Sequence, residues 1–156
     1  MKTYTTVELL EKLEAEGVHD ALFIVQGVAG SGKTTFAKKL ARALGIPRIH
    51  EADDWFNRSG EYVFKPEELG KAHRMCQLNT EASLMLGGSA IVSNTFTSKK
   101  EFTPYFDMAA DFDVPVVVIR MDNEYGNVHG VPEEALERQR ARIANCAVKP
   151  DYIVCD

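Results

Sequence analysis

Along the chain, short apolar runs alternate with stretches whose apolar residues recur every three or four positions. The first amphipathic stretch carries Val7, Leu10 and Leu13, with Thr5 and Glu8 spaced as a capping box and Gly17 as the stop. Ala21–Gln26 (ALFIVQ) is a continuous apolar run of the kind buried inside a parallel sheet. KTTFAKKLARALG follows as a helix with Phe36, Leu40 and Leu44 spaced by four, ended by Gly45 with Pro47 beyond. Ile46–Asp54 predicts a second, shorter strand ending in acid. Pro66 opens a long helix that Gly87 and Gly88 close. AIVSN (90–94) predicts a third strand, a helix covers Glu101–Ala110, and VPVVVIR (114–120) predicts a fourth strand. Pro132 opens another helix, and DYIVC (151–155) predicts a last strand. Strands alternating with helices imply an α/β fold, a three-layer α/β/α sandwich around a mostly parallel sheet. With neither repeat nor linker, the chain reads as one domain over residues 1–156, with an N-terminal helix in 1–20 and a short lid in 121–131.

The turn after the first apolar run is GVAGSGKT, Gly27–Thr34, with the spacing G-x-x-x-x-G-K-T between a strand pattern and a helix pattern. Gly27, Gly30 and Gly32 allow the backbone to aim successive N–H groups at phosphate oxygens, and the helix N-terminus adds partial positive charge. Ala29, Ser31 and Thr35 complete the predicted cradle. Lys33 reaches the β- and γ-phosphates, and the Thr34 hydroxyl is a magnesium ligand. A nucleoside triphosphate is the implied ligand.

Asp53 and Asp54 stand about twenty residues further on, where the predicted second strand ends. Ligands of open parallel sheets bind at the carboxyl ends of strands, so this pair faces the same crevice. A carboxylate there accepts a proton from an attacking hydroxyl or holds magnesium; the competing role is a cap on the next turn. Trp55 and Phe56 follow, either stacking a base or packing. The third strand ends in Ser93, Asn94 and Thr95, where many ATP-hydrolysing motors carry an Asp. That substitution weighs against a motor or switch, which needs the acid to activate water.

Composition narrows the field. Hydrophobic residues make up 45% and charged residues 26% of the 156, which suits a folded domain with a core. The net charge of −5 argues against non-specific wrapping of nucleic acid but leaves room for a pocket holding one nucleotide or strand end. No apolar run reaches the roughly 20 residues of a membrane span, and the acidic N-terminus lacks the marks of a targeting peptide, so a cytoplasmic protein is expected. Cys76, Cys146 and Cys155 are scattered, which predicts reduced thiols and no zinc site.

Taken together, GVAGSGKTTFAKKLA, ADDWF, YVFKPEELGKAHRMC, AIVSNTFTSKKEFTPY and GNVHGVPEEAL resemble the small P-loop kinases typified by the 5′-kinase domain of bacteriophage polynucleotide kinase. The resemblance spans most of Ala21–Arg142. It implies ATP- and magnesium-dependent phosphorylation of a hydroxyl acceptor, a polynucleotide 5′-hydroxyl or a nucleotide-related hydroxyl. By that resemblance Asp53 is the general base and a metal-side carboxylate, Lys33 and Thr34 serve the phosphates and magnesium, and Asn94 and Thr95 lie near them with Ser93. Asp54, Arg58 and His129 fall on the acceptor side. The phage kinase has an Arg soon after its acid pair and arginines in its lid. Here Trp55 and Phe56 intervene before Arg58, and the lid DNEYGNVHG has none. Arg120, Arg138, Arg142 and His129 are the remaining sources of transition-state charge, although Glu134 and Arg138 also have the spacing of a surface ion pair. His73 and Cys76 share a helix face, and Lys99 and Lys100 mark a solvated helix start. The alternatives are a non-catalytic ATP-binding regulatory module and a small-metabolite kinase.

Overall fold

Alternation in a strand sends Leu22 and Ile24 to one face and Phe23 and Val25 to the other, and all four are buried. Both faces of this strand are therefore covered, as the unbroken apolar run required. The computed structural model describes residues 2–126 and 130–156, the basis of every structural statement below. The elements run β1 (Thr3–Tyr4), α1 (Thr6–Ala15), β2 (Leu22–Gln26), α2 (Lys33–Leu44), α3 (Asp53–Phe56), α4 (Leu69–Gly87), β3 (Ala90–Asn94), α5 (Lys99–Asp111), β4 (Val116–Met121), α6 (Glu133–Ala144) and β5 (Tyr152–Val154). A single 3₁₀ turn, Pro66–Glu68, leads into α4.

All sheet pairings are parallel, in the order β1-β5-β4-β2-β3. The strand before the glycine-rich turn thus lies between β3 and β4: the chain leaves it toward β3 on one side and then crosses back to β4 on the other. That is the switch point at which an open α/β sheet forms its ligand crevice. One core packs Leu22, Ile24, Val92 and Val118 against Phe56, Cys76, Phe96, Phe102 and Tyr105. The other packs Phe23, Val25, Ile91 and Ile119 against Leu9, Leu13, Phe36 and Leu40. A smaller cluster of Val28, Leu136 and Ile143 seats α6 against the glycine-rich turn. These layers give the three-layer P-loop fold.

Three expectations change. The predicted second strand over Ile46–Asp54 is reduced to one parallel bridge, His50 with Val92. The backbone N–H groups that would extend the ladder are used elsewhere: Ile46 N donates to Ala41 O, Pro47 has none, Glu51 N donates to Asp54 Oδ2 at 3.1 Å, and Ala52 N donates to Asn94 Oδ1 at 2.9 Å. A two-residue strand, β1, pairs with β5 although no apolar run announces it. In α1 the buried residues are Thr6, Leu9 and Leu13, so the core face is turned from the Val7–Leu10 stripe and Val7 is exposed.

The end signals act as expected. Thr5 and Glu8 exchange the two bonds of a capping box, and Ser98 and Glu101 do the same for α5, which starts two residues before the expected Glu101. Lys99 and Lys100 are exposed in its first turn. Gly88 caps α4 in the left-handed region at φ 75°, its N–H donating to Leu84 O. All three cysteines are free, Cys76 and Cys146 buried and Cys155 exposed. Among the described residues no helix is long and apolar enough to cross a membrane.

Candidate active site

The glycine-rich turn connects β2 to α2 with Gly30 at φ 78° and Gly32 at φ 86°, backbone angles that favour glycine. The packing is tight as well. A Cβ on Gly27 would stand 2.5 Å from the Ser31 Oγ, and one on Gly30 would stand 1.8 Å from the Gly126 carbonyl oxygen. The first residues of the expected lid thus lie against the turn, and Tyr125 N donates to Gly30 O at 2.9 Å. His129, expected on the acceptor side, falls outside the described residues together with Asn127 and Val128.

A cavity of about 580 Å³ opens at the carboxyl ends of β2 and β3. Ala29, Gly30, Gly32, Lys33, Thr34 and Thr35 line one side, and Asp53, Ser93, Asn94 and Thr95 line another. The fold therefore brings together the predicted cradle, the first acid of the pair and the strand-end segment. Gly27 and Ser31 are buried behind this wall.

The Lys33 ammonium is folded inward and donates to Val28 O at 3.0 Å. Burial pushes its pKa down, against the pull of Glu51 and Asp53. The Thr34 hydroxyl donates to Glu51 Oε2 at 2.6 Å. Burial raises the Glu51 carboxyl pKa, while the Thr34 hydrogen bond and Lys33 oppose the rise. Asp53, first residue of α3, accepts from the Tyr62 hydroxyl at 3.3 Å. Asn94 fixes this acidic turn by accepting from Ala52 N and extends its amide toward Cys76 Sγ at 3.7 Å.

Other predicted residues take other places. Asp54 folds back to accept from Glu51 N, the capping role, and its carboxyl pKa is raised by burial. Arg58 stacks over Trp55 with its guanidinium carbon 3.8 Å from the ring centre, donates to Trp55 O at 2.6 Å and approaches Glu68 at 3.5 Å. Trp55 Nε1 donates to Glu68 as well, and Phe56 is core, so neither aromatic lines the cavity. Arg120 donates to Gln26 Oε1 at 3.0 Å and Ile143 O at 3.3 Å, and lines a separate cavity of about 290 Å³. Arg138 and Arg142 are exposed on α6, and the expected Glu134–Arg138 pair is replaced by Arg140 pairing with Glu133 at 3.0 Å and Glu124 at 3.4 Å. Among the described residues lining the cavity, Lys33 is the one lysine or arginine.

Sequence reasoning missed several lining residues, among them the polar Glu51, Tyr62 and Gln139. Glu51 was visible in HEADD, two positions before Asp53, but the strand prediction hid its direction. Tyr62 and Gln139 carry no local signal; tertiary contact alone brings them in. His73 lines the cavity, whereas its helix neighbour Cys76 is core.

The chemistry of this donor set fits a triphosphate with magnesium. Glycine N–H groups at a helix N-terminus face phosphate oxygens, and a hydroxyl beside a carboxylate suits a hard oxygen-seeking cation.

Residues 22–146 match the AAA domain family AAA_33. The human NEDD4-binding protein 2 is 27% identical over 144 residues, covering 86% of this chain; the chain spans about 8% of that relative's length. Among solved structures, a chain of the Pnkp1/Rnl/Hen1 RNA repair complex aligns with a TM-score of 0.60 at 18% identity, over 80% of this chain and 44% of that one. A gluconokinase from Sinorhizobium meliloti 1021 aligns at 0.58 and 15% identity, over 86% and 81%. A sugar kinase from a Janibacter species aligns at 0.56 and 21% identity, over 86% and 83%. At these identities the structural likenesses establish the fold.

Proposed function

The chain belongs to the AAA domain family AAA_33, a small P-loop kinase-like family, and on that premise we propose that it transfers the γ-phosphate of ATP to a hydroxyl acceptor. The observation that carries this reading is that Asp53 lines the same cavity as Lys33 and Thr34, at the carboxyl ends of β2 and β3. A phosphoryl donor held on the glycine-rich turn and a base facing it are what in-line transfer needs.

Backbone N–H groups from Ala29 to Thr35 hold the β- and γ-phosphates, and Lys33 exchanges Val28 O for a phosphate oxygen. Asp53 takes the proton of the attacking hydroxyl as its oxygen bonds to the γ-phosphorus and the bond to the leaving diphosphate breaks. Thr34 would hold magnesium, which would supply positive charge to offset that of the donor phosphates. Tyr62 orients the Asp53 carboxylate, and Asn94 holds the turn that carries it. Tyr62, Phe64, Leu69 and His73 form the acceptor wall.

That wall is ring-bearing and apolar, which suits a nucleoside or the terminal nucleoside of a polynucleotide 5′ end. A second reading, an uncharged small metabolite such as a polyol, is favoured by the scarcity of cations in the cavity. With Lys33 committed to the donor, no described lining lysine or arginine remains for an acceptor phosphate.

The test is transfer of label from γ-labelled ATP to a panel of 5′-hydroxyl DNA and RNA, nucleosides and polyols. Transfer to a member, lost in Asp53→Asn with ATP binding kept, is the expected result. ATP binding with no transfer to any member, unchanged by Asp53→Asn, would instead support a regulatory module.

A further inference from the structure

The strand-end position beside a magnesium-binding hydroxyl is where an acid is needed, and β3 does not supply one. Its last residues, Ser93 and Asn94, are neutral, and the Asn94 side-chain oxygen is committed to Ala52 N. The Ser93 hydroxyl is buried, 1% exposed for the residue, and the group it acts on there is the Glu51 carboxyl. The carboxylate comes from the segment next door. His50 bridges Val92, with His50 N donating to Ile91 O and Ser93 N donating to His50 O, both at 2.9 Å. That register carries the following residue, Glu51, alongside Ser93 and sets its carboxylate on Thr34 at 2.6 Å.

Resting on the phosphotransferase reading above, we propose that Glu51 is the carboxylate that holds magnesium with Thr34, replacing from the neighbouring segment the acid that β3 lacks at Ser93. Three features converge on one point: the Thr34–Glu51 bond, the buried Ser93 hydroxyl beside the Glu51 carboxyl, and the ladder that brings the two together. The assignment divides the two acids of the cavity. Glu51 faces Thr34 and the metal side, while Asp53 faces Tyr62 and the acceptor side, so the base is not also occupied as a metal ligand. Asp54 serves Glu51 by accepting from its N–H, which fixes the backbone from which the carboxylate reaches.

The test measures ATP binding by calorimetry with magnesium and with chelator, and manganese binding to the protein–ATP complex by electron paramagnetic resonance. The proteins are the natural chain, Glu51→Gln, Glu51→Asp, and the double variant Glu51→Gln/Ser93→Asp. Glu51→Gln is expected to lose metal affinity by about 10- to 100-fold while metal-free ATP binding is retained. Glu51→Asp keeps the charge but shortens its reach and is expected to lose less. The double variant, with the acid returned to the strand end, is expected to recover metal binding. Metal affinity unchanged in both Glu51 variants overturns the assignment even though the natural chain binds magnesium and ATP. If the natural chain itself binds no ATP, the phosphotransferase reading falls, and this inference falls with it.

Discussion

The Tyr62 hydroxyl donates to Asp53 Oδ1 at 3.3 Å, tying the acceptor wall to the proposed base. Tyr62 reaches it from the segment after α3, so the carboxylate is held from outside its own helix. If Asp53 is the base, Asp53→Asn lowers kcat by about 10²–10⁴-fold, the range of general base catalysis. Tyr62→Phe removes the hydroxyl that donates to Asp53 and is expected to lower kcat several-fold without changing the KM for ATP. Steady-state transfer to whichever panel member accepts phosphate checks both; a Tyr62→Phe loss confined to KM for ATP contradicts the positioning role.

Gly30 stands at φ 78°, and a Cβ there would meet the Gly126 carbonyl oxygen at 1.8 Å. Gly30→Ala is expected to cost about 1–3 kcal/mol, combining left-handed strain with displacement of the 125–126 backbone. It should also weaken ATP binding, because that displacement breaks the Tyr125 N to Gly30 O bond and opens the turn. Urea unfolding with and without ATP separates the two effects, and a stability equal to the natural chain's would contradict the packing.

Arg58 is held by Trp55 and Glu68 on the outside of the acidic turn. Arg58→Ala is therefore expected to leave acceptor KM within about twofold and to cost no more than about 1 kcal/mol of stability, as for an exposed cation–π and ion pair. A tenfold rise in acceptor KM would return Arg58 to the substrate side.

Asp156 accepts from Thr6 N and from the Thr6 hydroxyl, both at 2.7 Å, and from Asn123 Nδ2 at 3.4 Å. Burial alone would raise its carboxyl pKa; the bonds to Thr6 and Asn123 outweigh it and hold the pKa below the usual aspartate value. A carboxylate depressed on folding contributes stability above its unfolded pKa and loses it as pH falls through the folded value. Thermal midpoints should therefore show the natural chain above Asp156→Asn at pH 7, with the gap closing below about pH 4. A gap that widens on acidification would reverse the sign.

The fold was legible because its signals are local or periodic. The unbroken apolar run of β2, the glycines of the turn after it and the capping box at Thr5 each act through a few adjacent residues. Ile46–Asp54 misled because apolar pattern cannot report where backbone N–H groups go. Asn94 and Asp54 draw two of them into a turn, and those partners lie elsewhere in space or point backward along the chain. The β1 strand was invisible for a related reason: two residues have no period, and pairing with β5 makes them a strand.

The sequence by itself determined the glycine-rich wall of the cavity, since Gly27 to Thr34 is one contiguous segment whose backbone geometry follows from its glycines. It also placed Asp53 near that segment, because strand ends gather at one edge of a parallel sheet. Only the tertiary structure decided the rest. A side chain's role depends on which neighbour satisfies it: Gln26 claims Arg120, Trp55 claims Arg58, and Thr34 meets Glu51, where the strand pattern directed attention to Asp53. Gln26 and Arg120 stand 94 positions apart, and no local pattern encodes such a pairing.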